Sequence, residues 1–292
     1  MVRFFRRPAF LAAVLGLAAL GATEATARAE LTLPRPSPKA TVSQTVGLTD
    51  FTVTYSRPGV KGRKIWGGLV PYAEKWRLGA NEATSFVSTG DAMVGGKPVP
   101  AGEHSIYTIP TKTEWTFVVT TEKGFWNTIT FAPDKEVARF TATPQTAPDE
   151  EWMRFSFENL DPNRADLVLR WEKLQVAIPI EVKTHDQAMA NIRAALAEAK
   201  ADDWQTPYRA AQYCFNADVH HDEAMTWAEK AVAIEETYFN LRLLADMKMK
   251  AGKAKEAIAT AEKAIKVGKA DPEKPDTGPT ETKLSEWKSK KG

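Results

Sequence analysis

The spacing of the apolar residues changes at Thr184, and this change constrains the fold more than any other feature of the chain. Before Thr184, apolar and polar residues alternate in short runs, a period typical of half-buried strands. After it, alanine dominates and apolar residues recur at the spacing typical of amphipathic helices. We therefore expect a β-domain over residues 37–183 and a helical domain over residues 184–268.

The β-domain contains short segments rich in Val, Thr, Phe, Tyr and Trp, and turns with Gly or Pro separate them. This pattern predicts eight or nine strands in an antiparallel β-sandwich or jelly-roll-like fold, with a closed barrel as the structural alternative. The last segment is long enough for two strands or for one bent strand. The predicted strands are residues 40–46, 51–55, 84–89, 103–109, 115–120, 136–143, 151–157 and 164–182.

The helical domain contains an internal repeat, because residues 223–232 and 256–265 carry the same pattern at an offset of 33 residues. Three alanines recur in it, and small residues at fixed places on a helix allow a neighbouring helix to approach closely. Residues 204–268 resemble tetratricopeptide repeats. The signature positions of the second unit hold Leu241, Leu244, Ala245, Gly252, Ala257, Ala261 and Ala264. This resemblance implies a concave surface for a peptide or protein partner.

The two ends of the chain differ from both domains. Arg3, Arg6 and Arg7 precede a short apolar run that ends in small residues, which predicts a secretory signal peptide over residues 1–29. A proline-rich, extended lead-in follows over residues 30–36. An uncleaved anchor would need about 20 apolar residues. We therefore expect a soluble periplasmic or secreted protein with no stable membrane anchor after cleavage.

At the other end, residues 269–292 are rich in Lys, Pro and Glu, and we expect a disordered tail.

Charge and composition narrow the classes of partner and cofactor. Removing residues 1–29 leaves 35 basic and 36 acidic side chains, a formal net charge of −1, which gives no electrostatic reason to expect nucleic acid. The four histidines lack a third ligand at the spacing of a metal site, so we expect no metal. The sequence has no G-x-S-x-G elbow, no P-loop and no dinucleotide fingerprint. We expect no cofactor, and we favour a non-catalytic protein.

Residues 56–84 form a connection that is too long for an ordinary loop and too rich in large apolar groups for disorder. It contains five glycines and six basic residues. One interpretation is a ligand-binding site, and the other is a packed lid in which the tryptophans plug the end of the sandwich. We expect Arg57, Trp66, Trp76, Arg77 and Glu82 to form one cluster at one end of the sandwich, with Asn81 beside it. The candidate ligand-binding residues are Arg57, Arg63, Trp66, Tyr72, Trp76, Arg77, Asn81 and Glu82.

The same residues carry a resemblance to a known family. The motifs are Ser56-Arg57-Pro58, Lys61-Gly62-Arg63-Lys64-Ile65-Trp66-Gly67, Leu69-Val70-Pro71-Tyr72, Trp76-Arg77 and Gly79-Ala80-Asn81-Glu82-Ala83-Thr84, followed by Val99-Pro100-Ala101-Gly102 and Tyr107-Thr108-Ile109-Pro110. With these motifs, residues 37–182 resemble the bacterial exported family called domain of unknown function 2911. The resemblance supports the β-domain and implies no mechanism.

Two classes of function remain open at this point. The first is a binding and scaffolding protein, in which the β-domain holds a small molecule or glycan and the helical domain holds a peptide or protein. The alternative is a hydrolase that acts on a cell-envelope or carbohydrate substrate, with Glu82 or Glu103 as its acid or base. That alternative needs two titratable groups in one pocket.

Overall fold

The computed structural model describes residues 33–124, 126–128 and 130–289. The predicted signal peptide and the first residues of the predicted lead-in lie outside this part of the chain. The described residues from Ser37 to Ser289 form one compact unit. Its described strands are β1 Lys39–Val46, β2 Thr49–Ser56, β3 Thr84–Ser88, β4 Ala92–Val94, β5 Lys97–Val99, β6 Gly102–Pro110, β7 Trp115–Thr120, β8 Glu136–Ala142, β9 Gln145–Asp161 and β10 Arg164–Glu181.

These strands form two antiparallel sheets, as the alternation predicted. The first sheet has the order β1-β2-β3-β6-β7-β8, and the second has the order β5-β4-β10-β9. One apolar core contains side chains from both sheets, such as Phe51, Phe86 and Phe117 from the first and Phe155 and Ile178 from the second. The sandwich is therefore confirmed, because the side chains of alternate residues point into a shared interior.

Of the two alternatives for the last segment, two strands or one bent strand, the structure shows one bent strand, β10. A straight strand of 18 residues would span roughly 60 Å. The backbone N–H of Val182 nevertheless donates to the carbonyl oxygen of Asn163 at 2.8 Å, although these residues flank opposite ends of β10. Arg170 also donates from Nε to Oε1 of Gln175 at 2.7 Å. The strand therefore turns back on itself near Glu172, which has a left-handed φ of 53°.

The hairpin of β4 and β5 was not predicted as a pair of strands. The sequence indicated only turns with Gly or Pro in this region, whereas the structure has a three-residue strand on each side of Gly95 and Gly96. Strands this short give no alternation that a sequence can reveal. The turn requires glycine at residue 95, because φ is 57° there and a Cβ atom would overlap the ring of Phe140.

Six helices follow in the described residues: α1 Thr184–Glu198, α2 Gln205–Ala217, α3 His221–Ile234, α4 Tyr238–Lys250, α5 Ala254–Ala270 and α6 Gly278–Ser289. Helix α2 packs on α3, and α4 packs on α5, as expected for helical hairpins. The repeated alanines are all buried at these contacts, with exposures of 1% or less, and they are Ala224, Ala228, Ala231, Ala257, Ala261 and Ala264. The arrangement is consistent with a helical-repeat segment.

The tail differs from its prediction, because residues 278–289 form helix α6 where we expected disorder. The buried hydroxyl group of Tyr238 explains the difference. It lies 2.8 Å from the hydroxyl of Thr280 and donates to the carbonyl oxygen of Asp276 at 2.9 Å. Lys283 also pairs with Asp246 of α4 at 2.9 Å. These tertiary contacts stabilise a helix whose own composition is polar.

The predicted boundary coincides with the start of α1 at Thr184, but the two parts are in contact there. The hydroxyl of Thr184 donates to the carbonyl oxygen of Pro162 at 2.9 Å. The side-chain amide of Gln187 donates to the hydroxyl of Thr49 at 3.1 Å. Gly47 lies so close to Thr184 that no Cβ atom fits. Within the described residues, no helix is long and apolar enough to cross a membrane.

Candidate functional site

Residues 57–83 connect β2 to β3, and these two strands pair directly, with Thr54 opposite Ser85. The connection therefore leaves the first sheet and returns to the neighbouring strand. Its first residues run along the edge of β9. The N–H of Val60 donates to the carbonyl oxygen of Glu151 at 2.8 Å, and the N–H of Met153 donates to that of Pro58 at 3.0 Å. The connection thus covers an edge of the second sheet.

The first two arginines of the connection bind backbone carbonyls. Arg57 donates from Nε to Met153 at 2.8 Å and from Nη2 to Trp152 at 3.4 Å. Arg63 donates to Gly59 at 2.6 Å and to Val60 at 3.1 Å, within the connection itself. Both guanidinium groups therefore hold the backbone of the connection and of β9.

Trp66 and Trp76 belong to a cluster of four indole rings with Trp115 and Trp171. The ring centroids of neighbouring members lie 5.0 to 6.0 Å apart. Trp76 is buried, and its Nε1 donates to the carbonyl oxygen of Gly79 at 3.2 Å. Such a cluster contributes apolar burial and ring contacts to the core. These two rings therefore pack inside the sandwich, as the packed-lid interpretation proposed.

Tyr72 packs against Gly67, and Arg77 packs against the ring of Trp126. The ring of Tyr72 covers Gly67, where a Cβ atom would lie 2.8 Å from Cε2 of the ring. The guanidinium carbon of Arg77 lies 5.8 Å from the ring centroid of Trp126, a cation–π distance. Burial lowers the pKa of the Arg77 guanidinium from its ordinary value. Its Nε atom is buried without a hydrogen-bond partner among the described residues.

Asn81 and Glu82 meet at a different place, beside the end of β2. The hydroxyl of Ser56 donates to Oε2 of Glu82 at 3.3 Å and accepts from Nδ2 of Asn81 at 3.3 Å. Asn81 has a left-handed φ of 60°, a conformation that asparagine tolerates. The contacts thus distribute the eight predicted residues among the edge of β9, the aromatic core and this polar corner, and they do not bring all eight together.

The polar corner opens into a cleft of about 230 Å³ on the outer face of the first sheet. Its floor includes the side chains of Thr54, Ser85 and Ser105, from three adjacent strands. Its rim includes two carboxylates and two ammonium groups, which belong to Glu82, Glu103, Lys39 and Lys123. The cleft therefore combines hydroxyl groups with balanced charge.

A row of hydroxyl side chains crosses the sheet through this floor. The register places Thr41 opposite Thr54, Thr54 opposite Ser85, Ser85 opposite Ser105, and Ser105 opposite Thr120. Sequence reasoning missed this row, although each member occupies a polar position of an alternating strand. The signal becomes visible only when strand order and register are known, because the five residues are far apart in the chain.

The rim of the cleft is fixed by the segment after β7. Nζ of Lys123 pairs with Oε2 of Glu103 at 2.6 Å, with both side chains about half exposed. The N–H of Ala83 donates to the carbonyl oxygen of Gly124 at 3.2 Å, which joins this segment to the end of the connection. An exposed ion pair contributes little stability. Its effect here is to hold two opposite charges beside the hydroxyl groups.

Two titratable groups near the cleft have shifted pKa values. Burial, with the carboxylate of Glu136 adding to it, raises the pKa of Tyr107 to about 12. The tyrosine therefore remains protonated at neutral pH. His104 points to the opposite, interior face of β6, where it is buried beside Phe86. Burial, with the nearby charge of Lys123, lowers the pKa of His104 from its ordinary value. The imidazole is therefore neutral and separate from the hydroxyl row.

The helical part has a groove of its own, with a volume of about 390 Å³. Its apolar side chains come from three helices: Phe215 of α2, Met225 of α3 and Met247 of α4. Charged side chains of both signs also line it, from Asp222, Lys250 and Lys253. Flexible methionine side chains suit a surface that binds peptides of varied shape.

Comparisons with known proteins identify the β-domain by family. No curated protein and no solved structure matches the chain. The matched family model is described as protein of unknown function (DUF2911), and it covers residues 37–180, from just before β1 to the last residues of β10. The match contains the whole connection between β2 and β3, the tryptophan cluster and the strands that form the cleft. Residues 37–180, which make up the β-domain, are thus similar to the DUF2911 family.

Proposed function

We propose that this protein is an exported, non-catalytic binding and scaffolding protein. Its β-domain holds a small polar molecule or glycan in the outer-face cleft, and its helical hairpins hold a peptide or protein. The observation that carries the proposal is the cleft itself, because it brings hydroxyl groups and charges of both signs into one concave place. The export of the protein is expected from the predicted signal peptide.

The proposal assigns different roles to the parts of the connection between β2 and β3. Arg57, Trp66 and Trp76 make a packed lid, because their contacts are with the backbone and with the core. Glu82 lines the cleft, and Asn81 orients Ser56 beside it. The two sequence interpretations thus apply to different residues of the same segment.

A ligand screen on the full chain tests the small-molecule half of the proposal. Saturation-transfer NMR with a library of sugars, polyols, amino acids and short peptides should find binders whose signal is lost in Ser85→Tyr, which fills the cleft. Ser43→Tyr is the matched control. Ser43, in β1, lies on the same outer face of the first sheet as Ser85 but outside the cleft. Equal binding by both variants, or no binder in the library, would contradict the proposal.

A second experiment tests the helical half. Fluorescent peptide libraries should yield sequences that bind the full chain and lose affinity in Met225→Glu, because a charge would enter the apolar groove. Thr226→Glu is the control, since Thr226 is the exposed neighbour on the same helix. Equal loss of affinity in both variants would place the peptide elsewhere.

A hydrolase remains the second candidate, and one observation favours it. Glu82 and Glu103, the two carboxylates suggested as acid or base, line the same cleft. Glu103→Gln would then abolish hydrolysis of a bound glycan while preserving its binding. Unchanged glycan after long incubation with the unmodified protein would remove this candidate.

A further inference from the structure

The two serines on the floor of the cleft are set apart from the rest of the hydroxyl row. Thr41 and Thr54 lie 3.1 Å apart through their hydroxyl oxygens, and the hydroxyl of Thr120 donates to the carbonyl oxygen of Lys135 at 3.0 Å. Within the part of the chain that the structure describes, the hydroxyls of Ser85 and Ser105 make no hydrogen bond. Ser105 is only 5% exposed, yet it lines the cleft. The Ser105 oxygen is not among the enclosed polar atoms without a partner, so its hydroxyl is open to the cleft and available to a ligand.

The geometry of the sheet determines what these two hydroxyls can bind. Ser85 and Ser105 are directly opposite each other in an antiparallel pair, where Cβ atoms lie about 4.5 to 5.5 Å apart. Two O–H···O hydrogen bonds of about 2.7 Å span that distance. One ligand oxygen between the serines can therefore bond to both. Because each serine both donates and accepts, a ligand hydroxyl that does the same is the natural partner.

The charges around the floor select against ions. The rim has two lysines and two glutamates, and Lys123 is already paired with Glu103. A phosphate or carboxylate would meet both carboxylates, and an amine would meet both ammonium groups. A neutral ligand with several hydroxyls can accept from lysine and donate to glutamate at the same time.

The size of the cleft limits the ligand further. Its volume of about 230 Å³ is below the range of roughly 300 to 1,000 Å³ that is usual for drug-sized ligands. We propose that the cleft binds one neutral sugar residue or a similar small polyol, with one ligand hydroxyl held between Ser85 and Ser105. This inference rests on the proposed function and names the class of small molecule that the β-domain holds.

Calorimetric titration of the full chain tests the inference with five probes. The neutral probes are D-glucose, N-acetylglucosamine and myo-inositol, and the charged probes are inorganic phosphate and ethanolamine. At least one neutral probe should bind more tightly than both charged probes. Ser85→Ala and Ser105→Ala should each weaken that binding about threefold to tenfold, the effect of losing one hydrogen bond between neutral groups. Ser43→Ala should not weaken it, because its hydroxyl pairs with that of Thr52 at 2.9 Å, outside the cleft.

The outcomes separate this inference from the proposed function. Tighter binding of phosphate or ethanolamine, with loss in Ser85→Tyr, would overturn the assignment of a neutral polyol and leave a small-molecule site in the cleft. Polyol binding that is unchanged in both alanine variants would overturn the role of the two serines. Failure of every probe and of the wider ligand library would contradict the proposed function as well.

Discussion

Arg57, just after β2, donates from Nε to the backbone carbonyl of Met153 in β9 at 2.8 Å, so one side chain joins the two sheets of the sandwich. The motif that contains Arg57 left both ligand binding and packing open as interpretations. Its contacts favour packing, because a guanidinium that binds backbone carbonyls has fewer donors for a ligand. Arg57 therefore belongs to the packed lid and not to the cleft.

Arg57→Ala should lower the free energy of unfolding by about 1.5 to 3 kcal/mol, because a hydrogen bond to a charged donor is lost and a strand carbonyl loses its partner. Urea unfolding measures this change. Arg63→Ala is the control and should cost less than about 1 kcal/mol, since that exposed side chain bonds only within its own loop. Equal stability of the Arg57 variant and the unmodified protein would contradict the structural role.

Gly95→Ala and Gly96→Ala form a matched pair in the β4–β5 turn. Both glycines have positive φ, 57° and 74°, so each substitution should cost about 1 to 2 kcal/mol of backbone strain. A Cβ atom at residue 95 would also overlap the ring of Phe140, whereas nothing lies within 4 Å at residue 96. The melting temperature should therefore fall further for Gly95→Ala. A larger fall for Gly96→Ala would mean that the turn is built differently.

Tyr238→Phe should release helix α6. The substitution removes the hydroxyl contacts with Thr280 and Asp276, and we expect a loss of about 1 to 2 kcal/mol. Hydrogen exchange should accelerate at the amides of residues 278–289 more than in α4. Tyr208→Phe is the control, because that hydroxyl accepts from Gln212 of its own helix at 3.0 Å. A tail that exchanges fully in the unmodified protein would contradict the packed helix.

His104 should make stability depend on pH. Burial lowers the pKa of its imidazole below the ordinary value of 6.5, so protons bind the unfolded chain more readily than the folded one. The contribution of His104 is therefore present above about pH 6.5 and declines as pH falls below it. His104→Gln should reduce the difference between urea midpoints at pH 7.5 and pH 5.5. An undiminished difference would assign the pH dependence to other groups.

Sequence patterns predicted the features that depend on local periodicity. Alternation in residues 51–55 gave the buried positions of β2, and the repeated alanines gave the contacts between helices. Features that depend on tertiary contacts were missed. Helix α6 requires Tyr238, and the short strands of the β4–β5 hairpin require their neighbours.

The candidate site could likewise be predicted from the sequence only in part. The long connection was recognised from its length and composition, and Glu82 was named among its site residues. Ser85 and Ser105 could not be paired from the sequence, because their proximity depends on β3 lying beside β6 in one particular register. A slip of one residue would place Phe86, a core side chain, in the cleft.

The most direct test is an amide chemical-shift map of the full chain titrated with the neutral probe that binds most tightly in calorimetry. The largest shifts should occur at Ser85, Ser105 and Gly124, which line the cleft, while the amides of Trp66 and Trp76 in the packed lid stay unchanged. Largest shifts at Trp66 and Trp76, or no shift anywhere in the β-domain, would contradict the proposed binding site in the cleft.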